Sequence, residues 1–405
     1  MKNEPTPALT PKRRFPEFRD AAGWAEKPLD ASLDYLQPTP YLVEATNYSP
    51  AYKTPVLTAG KTFILGYTNE QHGIFSEGLP VIIFDDFTTA TQFVDFPFKA
   101  KSSAMKILQA KNGAHIKFMY EALQMVSYEV GAHERHWISK FAPMLVLVPN
   151  PPEQQKIADC LSSVDELVAA QARKLDALKT HTKGLMQQLF PCEGETQPRL
   201  RFPEFQDAGE WGEEKLDDVF HLQDGFSFKS TDFVKSKDDA TQVIRITDIN
   251  NKNTNEDKVY VPNVFLEANN LKKYYVENGD LLLSLTGAAG FNFFFWDGGR
   301  AVINQRTSKV TPKKKLSSAM ARLLEPLVHE KINVRGEGQN NNLSKEFLSS
   351  VILRIPEPAE QQRIADCLTS LDDLIAAQTQ KVEALKNHKK ALMQQLFPSP
   401  EAVEA

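Results

Sequence analysis

Two stretches of this 405-residue sequence occur twice, and this tandem repeat constrains the fold more than any other feature. The segment P-K-R-R-F-P-E-F-R-D-A-A-G-W at 11–24 returns as P-R-L-R-F-P-E-F-Q-D-A-G-E-W at 198–211. The segment 153–191 returns at 360–398 with 27 of 39 residues identical. The inserts between the repeated elements are unlike each other. The repeat therefore predicts two modules that do one job on two different targets.

The second repeated element has the pattern of a long helix. Apolar residues recur at alternating steps of four and three from Ile157 to Leu189, and again from Ile364 to Leu396. This is a heptad pattern over more than four heptads, which predicts that the two helices pair as an antiparallel coiled coil related by a pseudo-two-fold axis. Polar residues in the seam, such as Gln171, would then fix the register. The alternative is that each helix packs separately on its own module.

The inserts contain short apolar runs between Gly, Asn and Asp turns. Examples are V-I-I-F at 81–84 and L-L-L-S-L at 281–285, which indicate strands. The sequence thus predicts an α+β fold with two modules of mixed, mainly β structure, each a twisted sheet with short helices followed by a long helix. The predicted boundaries are 1–150 and 192–355 for the modules, 151–191 and 356–398 for the helices, and 399–405 for a tail.

The junction V-P-N-P-P-E-Q-Q at 148–155 raises the question of catalysis. Asn-Pro-Pro after an apolar strand begins a motif of DNA amino-methyltransferases, but that motif needs an aromatic residue where this chain has Glu153. The second copy reads I-P-E-P-A-E-Q-Q at 355–362, so only the proline and Glu-Gln-Gln are shared. Proline suits the first turn of a helix, and glutamate suits the positive end of its dipole. A junction between strand and helix explains both copies.

Composition limits the remaining classes. The three cysteines form no CxxC pair, and no signal peptide or membrane span is visible, so we expect a reduced, cytoplasmic protein. The eight histidines show no metal-ligand spacing, so no metal site is predicted. The net charge is −5, whereas a free-standing nucleic-acid binder is usually basic. A DNA-binding role would therefore need basic residues on one face, or a partner that shares the contacts.

The frame resembles the specificity subunit of type I restriction–modification systems. The resemblance rests on the repeated R-F-P-E-F…W and L-M-Q-Q-L-F-P elements and on the proline and E-Q-Q-[KR]-I-A that begin each helix. The first insert also looks like a known type of target-recognition domain through I-I-F-D-D-F-T-T (82–89) and H-E-R-H-W-I-S-K (133–140). The second insert is similar to another type through D-G-F-S-F-K (224–229) and G-Q-N-N-N-L-S-K (338–345).

This resemblance implies a division of labour. Each target-recognition domain would read one half of a bipartite double-stranded DNA site, and the helix pair would set the gap. Two modification subunits would carry S-adenosylmethionine and methylate adenine, and two restriction subunits would add ATP- and Mg-dependent cleavage. The chain itself would hold no cofactor and catalyse nothing.

Base edges are read by Arg, Lys, Asn, Gln, Ser and Thr. In the first insert the DNA-binding candidates are Thr88, Thr89, Lys101, Ser102, Ser103, Lys106, His133, Arg135 and His136. In the second insert they are Lys229, Ser230, Arg245, Asn304, Gln305, Arg306, Gln339, Asn340, Asn341 and Asn342. The asparagine run has the alternative interpretation of a plain turn. Asp85 and Asp86 could form a metal pair, but we favour turn chemistry after a strand.

Three other functions stay open on sequence alone. A self-contained methyltransferase would need a Gly-rich cofactor turn of the FxGxG form, which is absent. A nuclease would need a PD…(D/E)xK cluster, and the nearest match, Glu213-Glu214-Lys215, has no Pro-Asp upstream. A coiled-coil adaptor that binds only protein would have no need of the polar clusters in both inserts.

Overall fold

The computed structural model describes residues 10–58, 60, 62–126, 128, 136–246, 248, 258–285, 292–336 and 345–398. The chain divides into two compact units, one made of residues 1–174 and 378–405, the other of residues 175–377. Each unit therefore combines one module with portions of both long helices. The helices are α1 (Leu29–Ser32), α2 (Ile116–Gln124), α3 (Pro151–Leu189), α4 (Leu216–Val219), α5 (Asn263–Ala268), α6 (Ser318–Gly336), α7 (Lys345–Ser350) and α8 (Pro358–Leu396).

The first module is built on a four-stranded antiparallel sheet of order β2-β8-β5-β6. A smaller sheet has the order β4-β3-β7, and β1 pairs with β9. The run V-I-I-F is continuously apolar because both faces of β5 are covered: Ile82 and Phe84 join the core around α2, while Val81 and Ile83 join the core with β3 and β7. The strands are β1 (Ala25–Pro28), β2 (Leu33–Leu36), β3 (Thr54–Leu57), β4 (Ile64–Thr68), β5 (Val81–Asp85), β6 (Thr91–Val94), β7 (Lys99–Ala100), β8 (Met105–Ala110) and β9 (Leu145–Val148).

The second module has the same plan. Its main sheet has the order β11-β18-β15-β16, its smaller sheet has the order β13-β12-β17-β14, and β10 pairs with β19. Leu281 and Leu283 face one core and Leu282 faces the other, so β15 is also buried on both sides. The strands are β10 (Gly212–Lys215), β11 (Phe220–Asp224), β12 (Ala240–Ile244), β13 (Val259–Pro262), β14 (Tyr275–Val276), β15 (Leu281–Ser284), β16 (Phe293–Phe295), β17 (Ala301–Ile303), β18 (Thr307–Pro312) and β19 (Ile352–Ile355).

The unlike inserts thus share one strand order. The order β2-β8-β5-β6 corresponds to β11-β18-β15-β16, and the parallel pair β3–β7 corresponds to β12–β17. The strand registers agree as well. The last residue of β5, Asp85, lies opposite the first residue of β8, Met105, and the last residue of β15, Ser284, lies opposite the first residue of β18, Thr307. The predicted mixed fold of sheets and long helices is confirmed, and the duplication extends through the inserts.

The two long helices, α3 and α8, have 39 residues each and begin at prolines. Both are acidic in the first half and basic in the second. Within the first unit, Lys389 Nζ lies 2.7 Å from Asp165 Oδ1, and Gln378 Nε2 donates to Gln171 Oε1 at 3.0 Å. These two contacts run antiparallel, and the first of them sets an acidic residue of α3 against a basic residue of α8. Packing of the whole seam as a coiled coil stays a prediction.

The junction with the long helix holds a buried ion pair in each unit. Glu153 is 1% exposed and accepts bonds from Arg14 Nε and Nη2 at 2.7 and 2.6 Å. Glu360 accepts bonds from Arg201 in the same way, at 2.7 Å each. Asn150 caps the helix, because its Oδ1 accepts from the Glu153 N–H at 3.0 Å. Asn-Pro-Pro-Glu is thus the start of a helix, and its glutamate forms an ion pair with Arg14, the arginine of R-F-P-E-F.

Candidate nucleic-acid interface

The predicted residues Lys101, Ser102 and Ser103 form the turn between β7 and β8. The Lys101 N–H donates to the carbonyl of Leu57 at 2.9 Å, which holds the turn beside the carboxyl end of β3. Ser102 and Ser103 are exposed, and Lys101 is half-buried with its Nζ 5.8 Å from the centre of the Tyr48 ring. The turn therefore presents one cation and two hydroxyls at the surface, which suits contacts to phosphate and base edges.

A second loop of the first module carries Thr88 and Thr89. The Asp85 carboxylate accepts the N–H groups of Phe87 and Thr88 at 2.8 and 2.9 Å, so its role as a turn former is confirmed. Thr88 is exposed, and Thr89 adopts a left-handed backbone conformation with φ of 59°. Such a conformation is uncommon for a β-branched residue and indicates that the loop shape is imposed by its surroundings.

Asp86 joins this loop to two others. Its N–H donates to the carbonyl of Ala104 at 3.0 Å, in the 101–104 turn. Its own carbonyl accepts the N–H of His136 at 3.0 Å, and its Oδ1 accepts the N–H of Trp137 at 2.8 Å. Its Oδ2 lies 3.2 Å from Lys106 Nζ. Asp86 is therefore the point where three polar segments chosen from the sequence meet.

Two of the predicted contact residues are interior. Lys106 and His136 are each 1% exposed, so neither side chain lies at the surface. Lys106 binds Asp86 and Gln37 Oε1, and His136 Nδ1 lies 3.2 Å from Tyr128 Oη. They support the loops instead of presenting themselves to a ligand. The candidates His133 and Arg135 lie outside the described residues.

The second module presents a turn at the equivalent place, between β17 and β18. The Asn304 N–H donates to the carbonyl of Ile244 at 3.1 Å, as Lys101 does to Leu57 in the first module. Asn304 Oδ1 accepts the Gln305 N–H at 2.7 Å, which leaves the exposed side chains of Gln305 and Arg306 on the outside of the turn. The two clusters chosen from unrelated sequences thus occupy one topological position.

Of the other candidates of the second module, the structure describes Arg245, Lys229 and Ser230. Arg245 follows the carboxyl end of β12 and is ion-paired with Asp248 at 3.0 Å. Lys229 and Ser230 are exposed in a short turn after β11, where the Lys229 N–H donates to Asp232. The predicted run Gln339, Asn340, Asn341 and Asn342 lies outside the described residues.

Sequence reasoning missed two residues that shape the interface. Tyr48 lies under Lys101, and a side chain on Gly66 would collide with the Tyr48 ring, so this glycine is what admits the tyrosine. Gly225 is pressed against the carbonyls of Ile303 and Asn304, directly below the second turn. Gly225 belongs to the motif D-G-F-S-F-K, but the sequence does not show that Ile303 and Asn304 lie against it.

The features that suggested catalysis are structural. Glu213 and Glu214 lie on β10 and are paired with Arg354 and Lys315. No group of three or more His, Cys, Asp or Glu residues that could hold a metal occurs in the part of the chain that the structure describes. No helix among the described residues is long and apolar enough to cross a membrane. The aromatic strand Phe293–Phe295 packs into the cores on both sides of β16.

Comparisons with known proteins agree with the repeated frame. Residues 208–387 match the family described as the type I restriction modification DNA specificity domain. The chain is 51% identical over 134 residues to the EcoR124I/EcoR124II specificity subunit of Escherichia coli, which covers 32% of this chain and 33% of that protein. It is 29% identical over 189 residues to the EcoBI specificity subunit of the same organism, covering 45% of this chain and 38% of that protein.

The fold is similar to that of the type I restriction–modification S subunit from M. genitalium. The TM-score is 0.59 at 15% sequence identity, with 96% of this chain and 99% of that chain covered. By sequence, the matched segments span little more than a third of the length of the two curated relatives. The resemblance drawn from the repeated elements is confirmed by these matches.

Proposed function

We propose that this chain, whose residues 208–387 form a type I restriction modification DNA specificity domain, recognises a bipartite DNA sequence on behalf of partner enzymes. Each module would read one half-site. The 101–103 turn and the Thr88 loop would contact the first half-site, and the 304–306 turn would contact the second. Arg306 suits bidentate bonds to guanine, and Gln305 suits bidentate bonds to adenine, in the major groove.

One observation carries this proposal: two inserts without sequence similarity present exposed polar turns at the same place in the same fold. The backbone bonds that hold both turns are equivalent, from Lys101 to Leu57 and from Asn304 to Ile244. The side chains on the turns differ completely, a lysine with two serines in one and an amide pair with an arginine in the other. A shared scaffold with different polar side chains is what two readers of different sequences require.

We further propose that catalysis resides in partners. Two modification subunits would bring S-adenosylmethionine and methylate adenine in each half-site, and two restriction subunits would bring ATP- and Mg-dependent cleavage. The net charge of −5 supports shared DNA contacts, because a reader with this charge gains little long-range attraction to phosphate. The complex would work in the cytoplasm, where its DNA substrate lies.

The long helices would act as the spacer between half-sites. A helix of 39 residues is about 58 Å long at about 1.5 Å per residue, which exceeds the pitch of one DNA turn, about 34 Å. Inserting one heptad in both helices should lengthen the tolerated gap and leave both half-site sequences unchanged. A change in a half-site sequence instead would contradict the separation of reading from spacing.

The experiment that tests the proposal is methylome sequencing of a host that carries this chain with its modification partner. We expect one bipartite motif with a methylated adenine in each half. Replacing residues 31–150 by the insert of another such chain should change one half-site only. Methyl transfer by the purified chain without a partner, or a methylated motif that ignores the insert, would refute the proposal.

A further inference from the structure

We propose that Asp86 is a positioning residue that sets the sequence discrimination of the first module and leaves that of the second untouched. This rests on the proposed function. Asp86 makes no surface contact of its own, since it is 1% exposed. It acts through the three segments that it holds together.

The backbone groups and the Oδ1 atom of Asp86 bind the ends of loops. Its N–H fixes Ala104, the last residue of the turn that presents Lys101, Ser102 and Ser103. Its carbonyl and carboxylate fix the N–H groups of His136 and Trp137, which are both buried. It follows directly on Asp85, which shapes the Thr88 loop. Moving Asp86 would therefore move all three segments in relation to one another.

A buried lysine completes this arrangement. Lys106 Nζ lies 3.2 Å from Asp86 Oδ2, and donates to Gln37 Oε1 at 3.2 Å, at the end of β2. Aromatic rings adjoin the pair, since Lys106 Nζ lies 5.8 Å from the centre of the Tyr35 ring and Phe84 is the cross-strand neighbour of Lys106. Apolar residues of similar volume are often as stabilising as a buried ion pair in such surroundings. A charge pair at this place is better explained by the geometry that it imposes on the loops.

The second module replaces this pair by a simpler link. Leu285 stands where Asp86 stands, since its N–H donates to the carbonyl of Arg306 at 2.9 Å just as Asp86 donates to Ala104. Ser308 stands where Lys106 stands and donates to Asp224, which corresponds to Gln37. The backbone bond between the two loops is kept while the carboxylate is absent from this position. A carboxylate that links the loops from this position is thus a property of the first module only.

The test measures DNA binding by the complex of this chain with its modification subunits. Affinities are determined for the cognate duplex and for duplexes with single base changes in either half-site. We expect Asp86→Ala to reduce discrimination in the first half-site by about tenfold, the equivalent of one lost base contact of about 1.4 kcal/mol, and to leave the second half-site unchanged. Asp86→Asn should lose less, because its amide oxygen still accepts the Trp137 N–H.

Three controls separate positioning from loss of folding. Titration of the active fraction corrects for unfolded protein, which lowers binding to all duplexes equally and leaves their ratios intact. Asp280→Asn removes the ion pair in which Lys309 Nζ lies 2.6 Å from Asp280 Oδ2 in the second module. Asp280 lies at the opposite end of β15 from Leu285, so this change should alter discrimination in neither half-site. If the wild-type complex distinguishes no half-site, the proposed function fails. If it does and Asp86→Ala and Asp86→Asn keep the wild-type ratios, or change both half-sites alike, the positioning role alone is overturned.

Discussion

Replacing Glu153 by alanine should destabilise the first unit by about 4 kcal/mol. Removing one partner of a buried ion pair costs about 3–5 kcal/mol, and the lower figure applies because Arg14 keeps its bonds to the carbonyls of Ala21 and Ala22. Trp24 Nε1 also donates to Glu153 at 3.2 Å, which adds about 1 kcal/mol. In the second unit the pair is repeated, but Trp211 Nε1 is buried with no hydrogen-bond partner among the described residues. Glu360→Ala should therefore cost about 3 kcal/mol.

Native-state hydrogen exchange read by mass spectrometry measures the opening free energy of each unit separately. Peptides from α2 report on the first unit and peptides from α6 on the second. Glu166→Ala, on the exposed face of the same long helix, is the matched control and should change either value by less than about 0.5 kcal/mol. An effect of Glu153→Ala below about 1 kcal/mol, or a larger loss from Glu360→Ala, would refute this reading of the junction.

Three further changes have defined outcomes. Burial opposes ionisation of Asp165, but hydrogen bonds from Lys117 and Lys389 outweigh it and lower the pKa of that carboxyl. The ionised Asp165 therefore contributes its full stabilisation above the unfolded-state pKa of about 3.9, and this stabilisation is lost as the pH falls further. Asp165→Asn should therefore weaken the dependence of the urea unfolding midpoint on pH on the acid side. An unchanged slope would contradict this. Gly184→Ala should stabilise the chain by about 0.5–1 kcal/mol in urea unfolding, because nothing lies within 4 Å of the added carbon and Ala391 fills the same place in the second copy; destabilisation would contradict it. Gly225→Ala should displace the 304–306 turn and weaken discrimination in the second half-site, whereas Gly209→Ala, in open space, should not; equal binding ratios would count against the turn.

The frame was predictable because it is encoded locally and twice. Heptad spacing, first-turn prolines and terminal glutamates determine the long helices, and the structure begins and ends them at Pro151–Leu189 and Pro358–Leu396, close to the predicted limits. The interface was predictable only in part. Sequence reasoning found the polar turns, since surface turns are rich in Ser, Asn and Lys.

The interior role of Lys106 could not be predicted from local sequence. Lysine is almost never fully buried without a partner, and its partner Asp86 lies 20 residues away, in the turn that follows β5. The same limit applies to His136, which is buried and donates its backbone N–H to the carbonyl of Asp86. Long-range registers of this kind are set by tertiary packing, whereas residue type indicates only which side chains are polar.

The equivalence of the two turns bears on how such a chain acquires a new specificity. The 101–104 turn depends on Asp86, and Asp86 depends on Lys106. Lys106 in turn binds Gln37, which directly follows β2. The 304–306 turn rests instead on Gly225 and on the link from Ser308 to Asp224. A turn transplanted alone would lose the interior that shapes it, because buried polar networks stabilise only when every member is satisfied. Exchange of a whole insert between the repeated frames keeps turn and interior together, so divergence of entire inserts around an unchanged frame is the route that this architecture favours.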